Sequence, residues 1–479
     1  MITGTLRLFT DAQLDRLHGA VLRVLGETGI RIYSDVFLSA LAAVGASVDG
    51  ARGVARFPPR LVETMLAERR RQRWVPKREQ AEPEREYKLG LSGVIAPYYH
   101  DYDRQVRRPA TRQDLLDTIY WAETDLSQER NVDLAVTMSD VDPRVEPIEA
   151  YALLLQHTSR PGLAYSTAAE QIPFLIDMAE AWYGQRRFPR GPDFMTSPLT
   201  LGHRLAQHTL AALEFGQREF GFGVMPISGG NAPMTIAGNI VQSAAEGLGI
   251  GLAVQAVAPD ATWIVAPCNG IIDMRKGTAS FNAPEALLAD LGVCELFNRH
   301  YGGGSTVAAL ADYIDAALPG IQAAYERTYR AMAIAAFVGE PFYLGGQGTL
   351  DAGQVFSPVQ FILERDMGEG LWRLGQGIAV SEDTLAVDVI AQVGSGGEHS
   401  FLDSEHTLHH YRETWFPRFL YRGEYEDDDV EHHRDKAMLD AANAHYKDAI
   451  SRYAPPAIDS GKLRDVLKIV ERARQALLG

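Results

Sequence analysis

The feature that most constrains this chain is a texture that repeats from about residue 90 onward. A short apolar stretch is followed each time by a pattern with helical spacing. The apolar stretches fall near Val94–Tyr98, Leu134–Met138, Leu163–Ser166, Phe194–Ser197, Phe222–Ile227, Thr262–Ala266, Thr306–Leu310 and Phe342–Gly345. Strands separated by helices run parallel, because a parallel return needs a crossover long enough to hold a helix. About eight such units match an α/β fold of the (β/α)8 TIM-barrel kind. The competing architecture is an open doubly wound sheet, but no G-x-G-x-x-G turn follows the first strand.

Helices flank the repeat. Phe9-Thr10-Asp11 ahead of Leu14, Leu17, Val21, Leu22 and Leu25 predicts a capped amphipathic helix. A second helix is expected around Val36–Val44, after a break at Gly29-Ile30-Arg31, and a third over Pro59–Glu68. The polar run Arg69–Glu86 has the composition of a solvated crossing segment. At the other end Leu463, Val466, Ile469, Val470 and Ala473 recur at helical spacing. The expected organisation is a helical N-terminal region over 1–88, a barrel over 89–436 and C-terminal helices over 437–479 packed on it.

Charge narrows the partners. The net charge is −16, which opposes nucleic acid and anionic membranes at long range, so neither is an expected partner. No basic, apolar leader opens the sequence and no uncharged stretch has spanning length, so a cytoplasmic location is expected. Association of identical copies is compatible with all of this. Cys268 and Cys294 are the two cysteines, too few for a disulfide framework or a cysteine zinc site. His406, His409 and His410 form H-x-x-H-H and His432-His433 follow Glu431, but H-E-x-x-H is absent, and no metal site is expected. Glu424–Glu431 is an acidic run suited to a solvated face.

In a parallel barrel, chemistry sits on loops after the strands. The densest candidate is Met225-Pro-Ile-Ser-Gly-Gly-Asn-Ala-Pro-Met-Thr-Ile-Ala-Gly238, a glycine turn entering a helix. It suits either an anion cradle of backbone N–H groups or a plain tight turn. Glu246 follows within an apolar helix, where a carboxylate is costly unless paired or functional. Gly302-Gly-Gly-Ser305 and Gly345-Gly-Gln-Gly348 are two later glycine loops. Tyr98, Tyr99, Tyr102, Tyr313 and Phe356 lie near expected strand ends, placed either for packing or for holding a quaternary ammonium through cation–π attraction.

Taken in order, these residues resemble the trimethylamine methyltransferase family from about Leu6 to Leu478. The resemblance runs through Leu25-Gly-Glu-Thr-Gly29, Gly45-Ala-Ser-Val-Asp49, Asp101-Tyr102, Arg108-Pro-Ala-Thr111 and Thr196-Ser-Pro-Leu-Thr200. Its most specific stretch is Pro226–Gly238 with Glu246. Asp273-Met274, Gly277-Thr278, Pro284-Glu285, Gln322, Glu326, Phe401-Leu402 and His406-Thr407 complete it. The resemblance implies a (β/α)8 barrel that moves a methyl group from a small amine to the cobalt(I) corrinoid of a separate cognate protein. Members that use methylamines carry pyrrolysine at a position whose register, set by Pro319 and Gln322, is Tyr313 here. That resembles the branch without pyrrolysine, whose substrates are quaternary amines such as glycine betaine. Ala309–Asp315 has no arginine to hold a carboxylate, which counts against glycine betaine itself.

The resemblance implies Glu246 and Tyr313 as catalytic residues, and Tyr98, Tyr99, Asn231, Phe356 and Gln347 as substrate-binding residues. Demethylating a tetraalkylammonium needs a nucleophile stronger than any side chain here, which a reduced corrinoid supplies. No D-x-H-x-x-G segment is present, so stable corrinoid binding by this chain is not expected. Two rival functions are a phosphate-handling barrel lyase or isomerase, which would draw on the glycine loops and Lys276, and a non-catalytic binder of compatible solutes.

Overall fold

The chain is described by a computed structural model over residues 6–72, 91, 95–126, 130–186, 193–305, 307, 313–338, 344–394, 400–420 and 434–479. The first helix, Asp11–Arg23, begins as its sequence predicts. The Thr10 side chain accepts from the Gln13 N–H, and the Gln13 carboxamide oxygen accepts from the Thr10 N–H. Helices Asp35–Ala43 and Pro59–Gln72 follow. The expected break at Gly29-Ile30-Arg31 is instead a strand, Ile30–Ile32, with both isoleucines buried and Arg31 exposed. It pairs antiparallel with Val54–Arg56 and parallel with Thr200–Leu201 from far along the chain. The N-terminal region is therefore not purely helical.

Parallel strands alternate with helices through the middle of the chain. Glu219–Val224 lies between Thr262–Pro267 and Asp193–Phe194, all parallel. Ile227–Ser228 pairs parallel with Gly270–Asp273, which folds back onto Thr278–Ser280. Tyr98–Asp101 forms a hairpin with Val106–Pro109 and takes Val355–Phe356 in parallel along its other edge. The result is a mixed α/β fold. The expected closed barrel is not what the described strands form, since they fall into four separate sheets of three or four strands.

One interruption has a local cause. The stretches near Leu134–Met138 and Leu163–Ser166 are not regular strands; Val132 bridges Pro161 and Val136 bridges Ala96 as isolated pairs. The Asp133 carboxylate accepts the Leu163 N–H at 2.7 Å, taking that donor away from a ladder. Pro161 has no N–H to give. Val94, Thr306, residues 308–310, Phe342 and Tyr343 lie outside the described residues, as do 73–86 and the Glu424–Glu431 run.

The long helix Ile236–Val257 runs through the core. A Cβ on Gly251 would lie 2.2 Å from the Trp263 ring, and one on Gly247 would lie 2.6 Å from Val265. Glycine there lets the helix rest directly on the Thr262–Pro267 strand. By length and composition the helix could cross a membrane, but here 72% of its most apolar 18-residue window is buried inside the protein. Helices Asp11–Arg23, Asp35–Ala43 and Pro284–His300 pack against it. The C-terminal helices Arg434–Ser451 and Ser460–Leu478 dock on Arg112–Asp125, Glu146–His157, Ile172–Tyr183 and Pro358–Gly375. Val466, Val470 and Ala473 are buried in that contact, as their spacing predicts.

Candidate functional site

Beyond the parallel strands an uncharged cluster gathers around Tyr313. The Tyr313 ring meets Phe281 edge to face, with centroids 5.5 Å apart. Phe194, Met225, Ile227, Cys268 and Ala352 complete the cluster. Phe194, Met225 and Cys268 come from the ends of the three mutually parallel strands, so the topology delivers them to one place. Two glycines make room. A Cβ on Gly223 would lie 2.3 Å from the Phe194 ring, and one on Gly353 would lie 2.2 Å from the Tyr313 ring. Burial, with the neighbouring Cys268 thiol, holds the Tyr313 hydroxyl well above the ordinary tyrosine range. It is a neutral phenol at neutral pH.

Gly353 also has φ +80°, a conformation that alanine adopts only with strain. Gly353→Ala is therefore expected to displace the Tyr313 ring and to lower stability by about 1–3 kcal/mol. Urea unfolding would show the stability loss, and near-ultraviolet dichroism would show the moved ring. A variant with both properties unchanged would refute this account of Gly353.

A polar network clamps the partners of Tyr313. The Phe281 N–H donates to Asp315 Oδ1 at 2.9 Å, and the Phe281 carbonyl accepts from Arg330 at 2.8 Å. Asp315 and Ala316 donate their own N–H groups to Glu326, at 2.8 and 3.0 Å. Arg330 also faces Asp290 at 3.5 Å. Asp290 in turn accepts from the backbone and side chain of Asn269, the residue after Cys268, at 2.6 and 3.0 Å. Burial pushes the Asp290 carboxyl up to about 7, with Arg330 opposing the shift. Both flanks of the cluster are thus held by buried, hydrogen-bonded groups, the condition under which a site stays preorganised.

Glu246 is bound into the turn that follows Phe194. Its carboxylate accepts from the Ser197 hydroxyl at 2.7 Å, the Leu199 N–H at 2.9 Å and the Gln242 amide at 3.0 Å. The residue is fully buried, and burial raises its pKa against the pull of those three donors. Its hydrogen-bonding partners are neutral, and they brace the turn after Asp193–Phe194. No side-chain cation pairs with the carboxylate in these contacts; its charge is met by three neutral donors.

A family profile described as Trimethylamine methyltransferase (MTTB) matches residues 2–478. The chain belongs to the trimethylamine methyltransferase family. Among its relatives, trimethylamine methyltransferase MttB2 of Methanosarcina mazei is 28% identical over 98% of this chain and 96% of its own length. Trimethylamine methyltransferase MttB of Desulfitobacterium hafniense is 27% identical over 84% of this chain and 82% of its own length. The glycine betaine methyltransferase of Desulfitobacterium hafniense is 25% identical, covering 94% of both chains. The protein is a methyltransferase.

The remaining residues expected to bind substrate in this methyltransferase do not form one box. Strand alternation sends Tyr98 and Tyr99 to opposite faces. Tyr98 packs on Ile314, Leu350 and Val355, and its ring already carries the Arg107 guanidinium at 4.0 Å. Tyr99 and its register partner Phe356 belong to the core with Trp121 and Phe361. Both lie in the core, the packing alternative of the sequence reading. The Gln347 amide turns back onto the Leu344 carbonyl. Asn231 Oδ1 accepts the Ile227 N–H at 2.6 Å and so closes its own turn.

The glycine loops are equally self-contained. In the 226–238 segment the N–H groups of Gly229, Gly230, Asn231 and Ala232 all donate to carbonyls of the same turn. Gly303 donates its N–H to the Phe297 carbonyl, Ser305 to Asn298 Oδ1 and Gly348 to Glu364. Donors already spent on the protein do not make an anion cradle. Lys276 is exposed on the turn before Thr278–Ser280. The phosphate-handling alternative has no support in these contacts.

His100 was missed in the sequence. It is 2% exposed, both ring nitrogens lack a hydrogen-bond partner, and burial lowers its pKa. It shares a strand face with Tyr98 at i+2, the one signal that could have drawn attention to it. Cys268 and Phe281 were overlooked for another reason: neither belongs to a motif, and only the fold brings them to Tyr313.

Proposed function

We propose that this methyltransferase binds a small quaternary or tertiary amine against Tyr313 and presents one methyl group to the cobalt(I) corrinoid of a separate partner protein. The observation that carries this reading is the uncharged cluster of Tyr313, Phe281, Phe194, Met225 and Cys268 at the strand ends. A quaternary ammonium, which has no N–H to donate, gains from ring faces and polarizable sulfur, about 2 kcal/mol for a desolvated cation–π contact. The cluster holds no strong base, and its only thiol, Cys268, is buried. A reduced corrinoid supplies the nucleophile when the carrier docks.

In this reading Tyr313 holds the cation. Asp315, Arg330 and Asp290 keep Phe281 and the Cys268 loop in place around it. Glu246 is a positioning residue that acts through the 197–199 turn. We also propose the (β/α)8 barrel as the full architecture, bounded by 1–88 and 437–479. Parallel pairings of 355 with 98, 96 with 136, 132 with 161, 193 with 222, 262–267 with 219–224, and 265 with 305 support it.

The test uses the full chain with reduced free corrinoid or a cognate carrier and a panel of betaines and methylamines, following the corrinoid spectrum. Tyr313→Ala is expected to raise the amine KM or Kd by about 10- to 30-fold, while Tyr313→Phe, which keeps the ring, stays within about threefold. Failure of every amine to methylate the corrinoid would end the proposal. Binding of an amine without transfer would favour the non-catalytic solute binder instead.

A further inference from the structure

We infer that Asp383, His406 and His410 form a binding site for a divalent metal ion of the zinc type, apart from the Tyr313 cluster. Their ligand atoms lie within 4.8 Å of one another. His406 and His410 stand at i and i+4 on the helix Glu405–His410, so both rings reach the same side. Their centroids are 4.5 Å apart. Asp383 arrives from the separate helix Glu382–Leu385, with Oδ2 3.1 Å from His410 Nε2. Ligands of tetrahedral zinc stand roughly 3.3 Å apart, given metal–ligand distances of about 2.0–2.1 Å. Small side-chain rotations close the triad.

The surroundings of His410 point the same way. Nε2 faces Asp383, and Nδ1 faces Glu413 Oε2 at 3.3 Å. With a metal on Nε2, Nδ1–H is left to donate to Glu413, the outer carboxylate that zinc-bound histidines commonly have.

The second, independent observation concerns what holds this part of the chain. Helices Glu382–Leu385, Val387–Gly394 and Glu405–His410 bury none of their residues. Apolar packing therefore does not fix Asp383 against His406 and His410. An ion shared by two short helices would, since metal binding is folding free energy where a core is lacking. With two imidazoles and one carboxylate the donor set suits zinc rather than calcium or magnesium. A water completes the coordination, and the site ties the two helices together.

The test is metal binding, read independently of methyl transfer. The full-length protein is stripped with a chelator and titrated with Zn2+ against a chromophoric competitor, then with Co2+ to record its visible spectrum. One Zn2+ per chain and a tetrahedral cobalt spectrum are expected. His406→Ala, His410→Ala and Asp383→Asn should each weaken zinc binding by about tenfold or more. His203→Ala, an exposed histidine remote in sequence, should leave it unchanged. Zinc should also protect the region around 381–413 from limited proteolysis in the parent protein but not in the His406→Ala/His410→Ala double variant. A stripped protein that takes up no zinc overturns the inference. So does a double variant, folded by circular dichroism, that binds zinc as tightly as the parent.

Discussion

Arg327→Met is expected to lower the unfolding free energy by about 3–5 kcal/mol, the cost of leaving one member of a buried ion pair alone. Arg327 and Glu364 are 1% and 0% exposed and meet at 3.2 Å. Arg327 also donates to the Gly346 carbonyl and to the Thr349 carbonyl and hydroxyl. Glu364 accepts the Gly348 N–H at 2.7 Å and the Gln360 amide at 2.9 Å. Two charges thus hold three backbone groups of the 346–349 turn. Methionine fills much of the volume but leaves the Glu364 carboxylate and two carbonyls without their cation. The double variant Arg327→Met/Glu364→Leu should recover part of the loss, because no charge then stays buried, while the Gly348 N–H and the Thr349 carbonyl lose these partners. Urea unfolding of the parent, single and double variants measures the series. A single variant within about 1 kcal/mol of the parent would mean that solvent reaches the pair and that burial does not set its energy.

That loop shows why so much of the candidate site was hidden in the sequence. Gly345-Gly-Gln-Gly348 is visible as a turn, but the groups that occupy its N–H and C=O atoms lie on two later or earlier helices. Sequence distance conceals them, and the free loop then resembles an anion site. Elements fixed by local chemistry were legible: the Thr10 cap, the C-terminal stripe of Val466, Val470 and Ala473, and the strand Thr262–Pro267. Elements fixed by distant pairing were not. Ile30–Ile32 is three residues long, too short for period-2 alternation to stand out, and one of its partners is at 200–201. The aromatic residues divide among different clusters for a related reason. Proximity to a strand end says nothing of which face a ring takes, and one step of alternation separates Tyr98 from Tyr99. Tyr313 stood among several aromatic residues near expected strand ends, and its register in the family resemblance is what set it apart from them.

Glu246 is where local chemistry and long-range pairing meet, and two substitutions separate its roles. Glu246→Ala removes the acceptor of three donors in a fully buried place, so a loss of about 4 kcal/mol is expected from unsatisfied polar groups and the cavity. Glu246→Gln can keep all three bonds. Its carboxamide oxygen accepts from Leu199 and Gln242, and its NH2 donates to Ser197, whose hydroxyl turns to accept. The sign of the pH dependence follows from the raised pKa. A carboxyl whose folded pKa lies above its unfolded value contributes stability that is present below the unfolded value and is lost as pH rises through the folded one. The glutamine variant carries no such loss, so its stability relative to the parent should increase as pH rises from the ordinary carboxyl value of 4.5 toward neutrality. Activity gives the second axis. A brace acting through the 197–199 turn leaves the glutamine variant within about threefold of the parent rate and the alanine variant far below it. A loss of about 30- to 1000-fold in the glutamine variant, equivalent to roughly 2–4 kcal/mol, would instead assign the negative charge itself to the reaction. Unfolding midpoints across pH, taken with rates of corrinoid methylation for both variants, decide between a carboxylate that supports a turn and one that stabilises a cation.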